Sequence, residues 1–304
     1  MGSIFRTAIL LLGISFLGEA ALLPPAFINA VAAIGHRETN GTWVTEASGF
    51  FYGYLIQDDP EPTKRQYRVF LVTNWHVINN HNVVSVRLNP KNAADPGQIF
   101  DLPPVTDGRA TWFFNKDIDI AGASINWQFL QQQGIDLYFL TSDTNAADTK
   151  KMQEIGVSAG DSIFVIGFPM NLAGQQRNYV IVRPGAIARV NDLIESAVGT
   201  LLIDSHVFPG NSGGPVILQP SLISITGTKS NERAYLLGMV RDYVPYVDVA
   251  ISPQTGHARV TFEENSGLAD IIPVDRINDL IKAWLASLPV ATPQAPLKTA
   301  PSTQ

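Results

Sequence analysis

Seven residues, Pro209-Gly210-Asn211-Ser212-Gly213-Gly214-Pro215, have the make-up of a site for attack on a carbonyl. A serine set between glycines presents its hydroxyl from nearly bare backbone, and Gly210 can take backbone angles closed to residues with a Cβ. Its N–H and that of Ser212 can therefore converge on one point, an oxyanion hole for the charge that develops when the hydroxyl adds to an acyl carbon. Gly213 and Gly214 leave room for the acyl group, and Pro215 fixes the exit into the apolar Val216-Ile217-Leu218. The same residues also fit a glycine-rich turn with an ordinary serine in it, since Gly-Asn-Ser-Gly-Gly is one instance of the loose G-x-S-x-G pattern.

A hydroxyl at its ordinary pKa is a poor nucleophile. It needs a base within hydrogen-bond reach, and the base needs a group that fixes its tautomer. The chain offers five histidines: His36, His76, His81, His206 and His257. Of these, His76 alone directly follows an apolar strand-like run, in Thr73-Asn74-Trp75-His76-Val77, where a rigid element can aim it. The best carboxylate is Asp119, which opens the apolar Ile120-Ala121-Gly122-Ala123. Asp117, two residues earlier, would face the same way on a regular strand and is its competitor.

These residues need a rigid scaffold, and composition indicates which kind. The chain has 304 residues, 45% of them apolar and only 16% charged, with 24 glycines and 20 prolines, which is enough to bury a sizeable core and rich in turns. Strand-like runs recur at 27–34, 47–56, 67–73, 83–88, 179–182, 186–190, 201–207, 216–218, 234–240 and 258–262, with 89–108 as a long loop. Short strands separated by Gly, Pro, Asn and Asp indicate an all-β sandwich or barrel. A polar, helix-compatible stretch at 145–158 divides two halves. One helix is explicit: after Asp275 as N-cap, the residues Ile277, Leu280, Ile281, Trp284, Leu285 and Leu288 form one apolar stripe that Pro289 ends. Residues 289–304 have nothing to bury and read as a disordered tail.

A net charge of −6 without a basic run argues against nucleic acid as a partner, and the absence of cysteine excludes disulfides, thiolate metal sites and cysteine nucleophiles. Residues 1–20, with Arg6, the apolar run Thr7 to Leu17 and small residues around Ala20, have the layout of a secretory signal peptide. The run falls short of the roughly 20 residues of a membrane span. The expectation is a secreted or periplasmic protein without a stable membrane span. The alternative is a core segment of a cytoplasmic one, which Glu19 keeps open.

Chain order separates two kinds of serine hydrolase. The α/β-hydrolases place their histidine after the serine and the serine on a strand-to-helix elbow, which Gly213-Gly214-Pro215 cannot start well. With Thr-Asn-x-His-Val at Thr73 to Val77, Asp119 to Ile125, Gly160 to Pro169, Gly210 to Pro215 and Leu236 to Val240, the chain instead resembles the trypsin-like (chymotrypsin-fold) serine peptidases, in their bacterial, HtrA-like branch, over about residues 26–285. The resemblance implies two six-stranded antiparallel β-barrels, at about 26–144 and 159–265, with a closing helix at 276–288. His76 and Asp119 would come from the first barrel and Ser212 from the second.

It further implies a serine endopeptidase acting on protein or peptide through an acyl-enzyme. Gly210 and Ser212 would supply the oxyanion hole, and no metal or organic cofactor would be needed. Arg241-Asp242-Tyr243 would form the edge on which the substrate backbone pairs, although family members usually begin that segment with a small polar residue. The residue six positions before the nucleophile, which floors the specificity pocket and is an aspartate in enzymes that cut after lysine or arginine, is His206 here. Uncharged side chains are the expected preference. The aspartate that pairs with a new N-terminal ammonium in zymogen-forming relatives is replaced by Asn211. No PDZ module is expected after the helix. A catalytically idle binding module on the same fold is the rival reading.

Overall fold

The computed structural model describes residues 22–79, 81–106, 108–196, 200–222 and 225–288. The expected signal peptide at 1–20 and the tail at 289–304 lie outside them. In the first half, β1 (Val31–Arg37), β2 (Trp43–Gln57), β3 (Gln66–Thr73), β4 (Val84–Leu88) and β5 (Gln98–Leu102) precede a two-residue pair, β6 (Val105–Thr106) and β7 (Arg109–Ala110). Then come β8 (Trp112–Asn115), β9 (Ile120–Ser124) and β10 (Leu140–Thr141). The order β5-β4-β1-β2-β3-β9-β8, with β10 parallel to β2, makes an eight-stranded, half-barrel sheet. In the second half, β11 (Ser162–Gly167), β12 (Ile181–Arg189), β13 (Leu201–Asp204), β14 (Pro215–Leu218), β15 (Tyr235–Ile251) and β16 (Ala258–Pro273) close into a six-stranded barrel. The architecture is all-β and chymotrypsin-like.

Alternation builds each core. Ile34, Phe51, Leu71 and Val86 fill the interior of the first sheet, while Ile163, Val165, Ile203, Val216 and Leu237 fill the barrel. A third cluster, with Phe50, Tyr52, Phe70, Ile166, Met239 and Ile277, lies between the halves and makes them one body. The closing helix, Val274–Ser287, packs its stripe there. Its Trp284 stacks on Phe113 with ring centroids 4.8 Å apart and meets Phe70 edge-on at 5.5 Å. Tyr52 donates to Asn278 Oδ1 at 2.9 Å, and burial holds that phenol protonated far above the usual tyrosine range.

Several local expectations need correction. Pro24-Pro25 opens a single helical turn, Pro25–Ile28, because Pro suits a first helical position, so the first strand begins only at Val31. The 89–108 loop contains β5, paired with β4. Pro184-Gly185 does not divide 179–190, since β12 runs through both. Asp275 lies in the first turn of the closing helix rather than at its N-cap, and it accepts from the N–H and the hydroxyl of Thr149, both at 3.0 Å. The largest difference is the β15–β16 hairpin, whose strands have 17 and 16 residues. Pro245 lies within β15 at a register shift, where a strand tolerates a missing N–H.

Candidate active site

β3 ends at Thr73, and Asn74 leads straight into the short helix Trp75–Asn79, which carries His76 in its first turn. Asp119 is not on a strand. It is the last residue of the turn 116–119, closed by its own N–H donating to Lys116 O at 3.3 Å, and it adopts φ +58° immediately before β9. Asp and Asn tolerate this left-handed region better than other side chains. The turn removes the face-parity between Asp117 and Asp119: Asp117 is exposed, and its N–H donates to Asn115 Oδ1 at 3.0 Å.

The structure brings His76 and Asp119 together. His76 Nδ1 lies 2.7 Å from Asp119 Oδ2, and the backbone N–H of His76 donates to Asp119 Oδ1 at 2.9 Å. Both carboxylate oxygens thus serve one residue. Asn74 Nδ2 donates to the Asp119 carbonyl at 3.0 Å, which fixes the turn from behind. The Asp119 side chain is 13% exposed and that of His76 45%, so the imidazole is open to solvent while its partner is walled in.

Ser212 is half-buried on a loop folded by two turns, with Asn211 N–H donating to Phe208 O at 2.9 Å and Gly214 N–H to Asn211 O at 2.8 Å. Gly210 and Gly213 have φ +99° and +79°. A Cβ on Gly213 would collide with Ser48 O and Thr73 Oγ1, so only glycine lets the loop lie against the strand that ends three residues before His76. Among the described residues, neither the Gly210 N–H nor the Ser212 N–H donates a hydrogen bond, which leaves both donors for an incoming oxygen.

Sequence reasoning missed Ser48. This β2 residue is fully buried and joins the halves at the loop: its N–H donates to Ser212 O at 2.9 Å, and its hydroxyl donates to Gly210 O at 2.7 Å while accepting from Phe168 N–H at 2.9 Å. Its carbonyl accepts from Thr73 Oγ1 at 2.9 Å. Two carbonyls of the Ser212 loop are thereby fixed on β2. Arg87 is a second clamp between the halves, donating to Asn178 Oδ1 at 2.7 Å and to the carbonyls of Gly174 and Ala173 at 2.8 and 2.9 Å. It secures the segment after β11, whose Met170 N–H donates to Pro209 O at 2.6 Å.

The remaining expected residues lie on the barrel. β14 pairs with β15 only as far as Met239, so from Arg241 onward one edge of β15 is without a strand partner among the described residues. Arg241 pairs with Asp270 at 3.3 Å, Asp242 is exposed, and Tyr243 donates to Glu263 at 2.6 Å, a bond that raises the phenol's pKa. His206 is exposed. Together with the Asp204 carboxylate it borders the space that a Cβ on Gly267 would take.

Among the described residues, no helix is long and apolar enough to cross a membrane. Residues 47–220 match the family model described as "Trypsin-like peptidase domain". The solved structure "Atomic resolution structure of HBP" is similar over 89% of this chain and 97% of that one, at 11% sequence identity and a TM-score of 0.44.

Proposed function

The chain belongs to the trypsin-like peptidase domain family, and from that premise we propose that it is a serine endopeptidase of the bacterial, HtrA-like branch. Ser212 attacks the scissile carbonyl, His76 takes its proton and later gives it to the leaving amine, and Asp119 orients His76 and stabilises its cation. The N–H groups of Gly210 and Ser212 hold the oxyanion, and the free edge of β15 at Arg241 to Tyr243 receives the substrate backbone as an added strand. The observation that carries this reading is the 2.7 Å contact of His76 Nδ1 with a carboxylate whose other oxygen is already held by the His76 N–H. A fluorophosphonate probe tests it: the folded wild type should be labelled and Ser212→Ala should not. A wild type that stays unlabelled would leave the idle binding module as the reading.

Ser48 gives a second expectation. Ser48→Ala keeps the backbone bonds but strands the buried Gly210 carbonyl and Phe168 N–H. Leaving such a group without a partner costs roughly 1–3 kcal/mol. Stability should fall by about that amount, and kcat should fall with KM little changed, up to the roughly 10²–10³ that loss of one oxyanion donor costs. Unchanged kcat would show that the loop keeps its shape without this clamp.

Asn211 bears on activation. Its Oδ1 accepts from Phe208 N–H at 3.1 Å, and its Nδ2, a donor, faces the interior without an acceptor among the described residues. An N-terminal ammonium brought here would meet a donor instead of a counter-charge, and burying it unpaired costs several kcal/mol. Protein beginning at Ala21 and kept at one uncut mass should therefore turn over substrate. Activity that appears only after a further N-terminal cut would contradict this.

A further inference from the structure

Away from the cleft, three metal-ligating side chains from separate segments converge: His36 on β1, Glu46 on β2, and His81, two residues beyond the helix that carries His76. Their ligand atoms all lie within 4.8 Å of one another. His36 Nδ1 is 3.2 Å from Glu46 Oε1, and His81 Nε2 is 2.5 Å from Glu46 Oε2. The two imidazoles stack, with centroids 4.2 Å apart and planes at 13°. His36 Nδ1 is buried, yet its contact with the carboxylate lacks the alignment of a hydrogen bond. This buried ring nitrogen has no hydrogen-bond partner among the described residues, and it can take an ion once the imidazole turns out of its stack on His81.

We propose that His36, Glu46 and His81 bind a divalent first-row transition ion, Zn²⁺ by preference. Two imidazoles and one carboxylate are a donor set that Zn²⁺ accepts, and three protein ligands leave its fourth position to water. With bonds of about 2.0–2.2 Å, neighbouring donors of a tetrahedral site lie about 3.4 Å apart. The His36–Glu46 contact of 3.2 Å is close to this, while the His81–Glu46 contact of 2.5 Å has to open when an ion enters. The side chains of His36, Glu46 and His81 are 25%, 36% and 22% exposed, which gives an ion access while limiting competition from water.

The site's place in the fold gives it a consequence. Glu46 is two residues before Ser48, which holds the Gly210 and Ser212 carbonyls, and His81 follows the His76 helix. A bound ion therefore ties the segment after that helix to the strand that supports the opposite wall of the cleft. The binding site itself does not rest on any reading of the cleft.

The test uses tag-free, full-length Ser212→Ala protein, so that self-cleavage cannot enter the readout. Titration with Co²⁺ should saturate at one ion per chain with the intense visible absorption of a four-coordinate centre, and one equivalent of Zn²⁺ should abolish that absorption and raise the Tm. His36→Ala, His81→Ala and Glu46→Gln in the same background should each weaken Co²⁺ binding by at least the 10- to 100-fold that even outer-shell losses cost. Glu46→Gln keeps the shape of the side chain, so the test stands if an alanine variant misfolds. Absence of saturable Co²⁺ binding, or affinity unchanged in all three variants, would overturn the site. Neither result depends on whether the protein cleaves peptides.

Discussion

Ser212→Ala is expected to lower kcat by about six powers of ten, the loss that follows when the nucleophile of such a triad is removed, leaving the roughly 10³–10⁴ over water that the oxyanion hole and binding supply. The size of the effect comes from chemistry and not from the fold. Only Oγ is lost, the Ser212 carbonyl still accepts from Ser48 N–H, and the turns at 208–211 and 211–214 are held by backbone groups and by the Asn211 side chain, not by Oγ. The Tm should therefore hold while turnover vanishes. Steady-state kinetics on a cleavable peptide, beside a thermal melt, checks both together. A variant that keeps more than about a hundredth of wild-type kcat would show that another group attacks the carbonyl.

How much of this was open to reading from residues alone depends on the range of the interactions. Runs such as 67–73 and 216–218 state their strand in their own composition, and the stripe from Ile277 to Leu288 states its helix. The neighbourhoods of His76 and Asp119 are as explicit, and those two side chains stand 2.7 Å apart. Ser48 carries no such mark. It is an ordinary serine in Ala47-Ser48-Gly49, and its hydroxyl matters only because the fold brings Gly210, 162 residues away, against it. His36, Glu46 and His81 are equally silent, since no fixed spacing links them and only the β1–β2 pairing and the end of the His76 helix bring them together. The full lengths of β15 and β16, of which only 234–240 and 258–262 read as strands, were hidden for a different reason. Their outer residues, among them Tyr246, Val249, Ile251 and Phe262, are exposed on a hairpin that extends beyond the barrel, so no burial pattern marks their length.

Asp119→Asn should cost about four powers of ten in kcat, the usual effect of removing the orienting carboxylate of a triad. Asparagine is the informative substitution because it tolerates the φ of +58° that Asp119 adopts, so the 116–119 turn need not rearrange. The amide oxygen can still accept from the His76 N–H as Oδ1 does now at 2.9 Å. The amide nitrogen then replaces Oδ2, 2.7 Å from Nδ1, and brings a donor where there was an acceptor. His76 must turn its Nδ1 lone pair toward that donor, which moves the ring proton to Nε2, the nitrogen that has to accept from Ser212. The base is present but in the wrong tautomer. Asp117→Asn, exposed and hydrogen-bonded within its own turn, should change kcat by less than a few fold. Measured side by side, near-dead Asp119→Asn with near-normal Asp117→Asn supports the assignment. The reverse ranking would mean that the 116–119 turn rearranges in the working enzyme and presents Asp117 to His76.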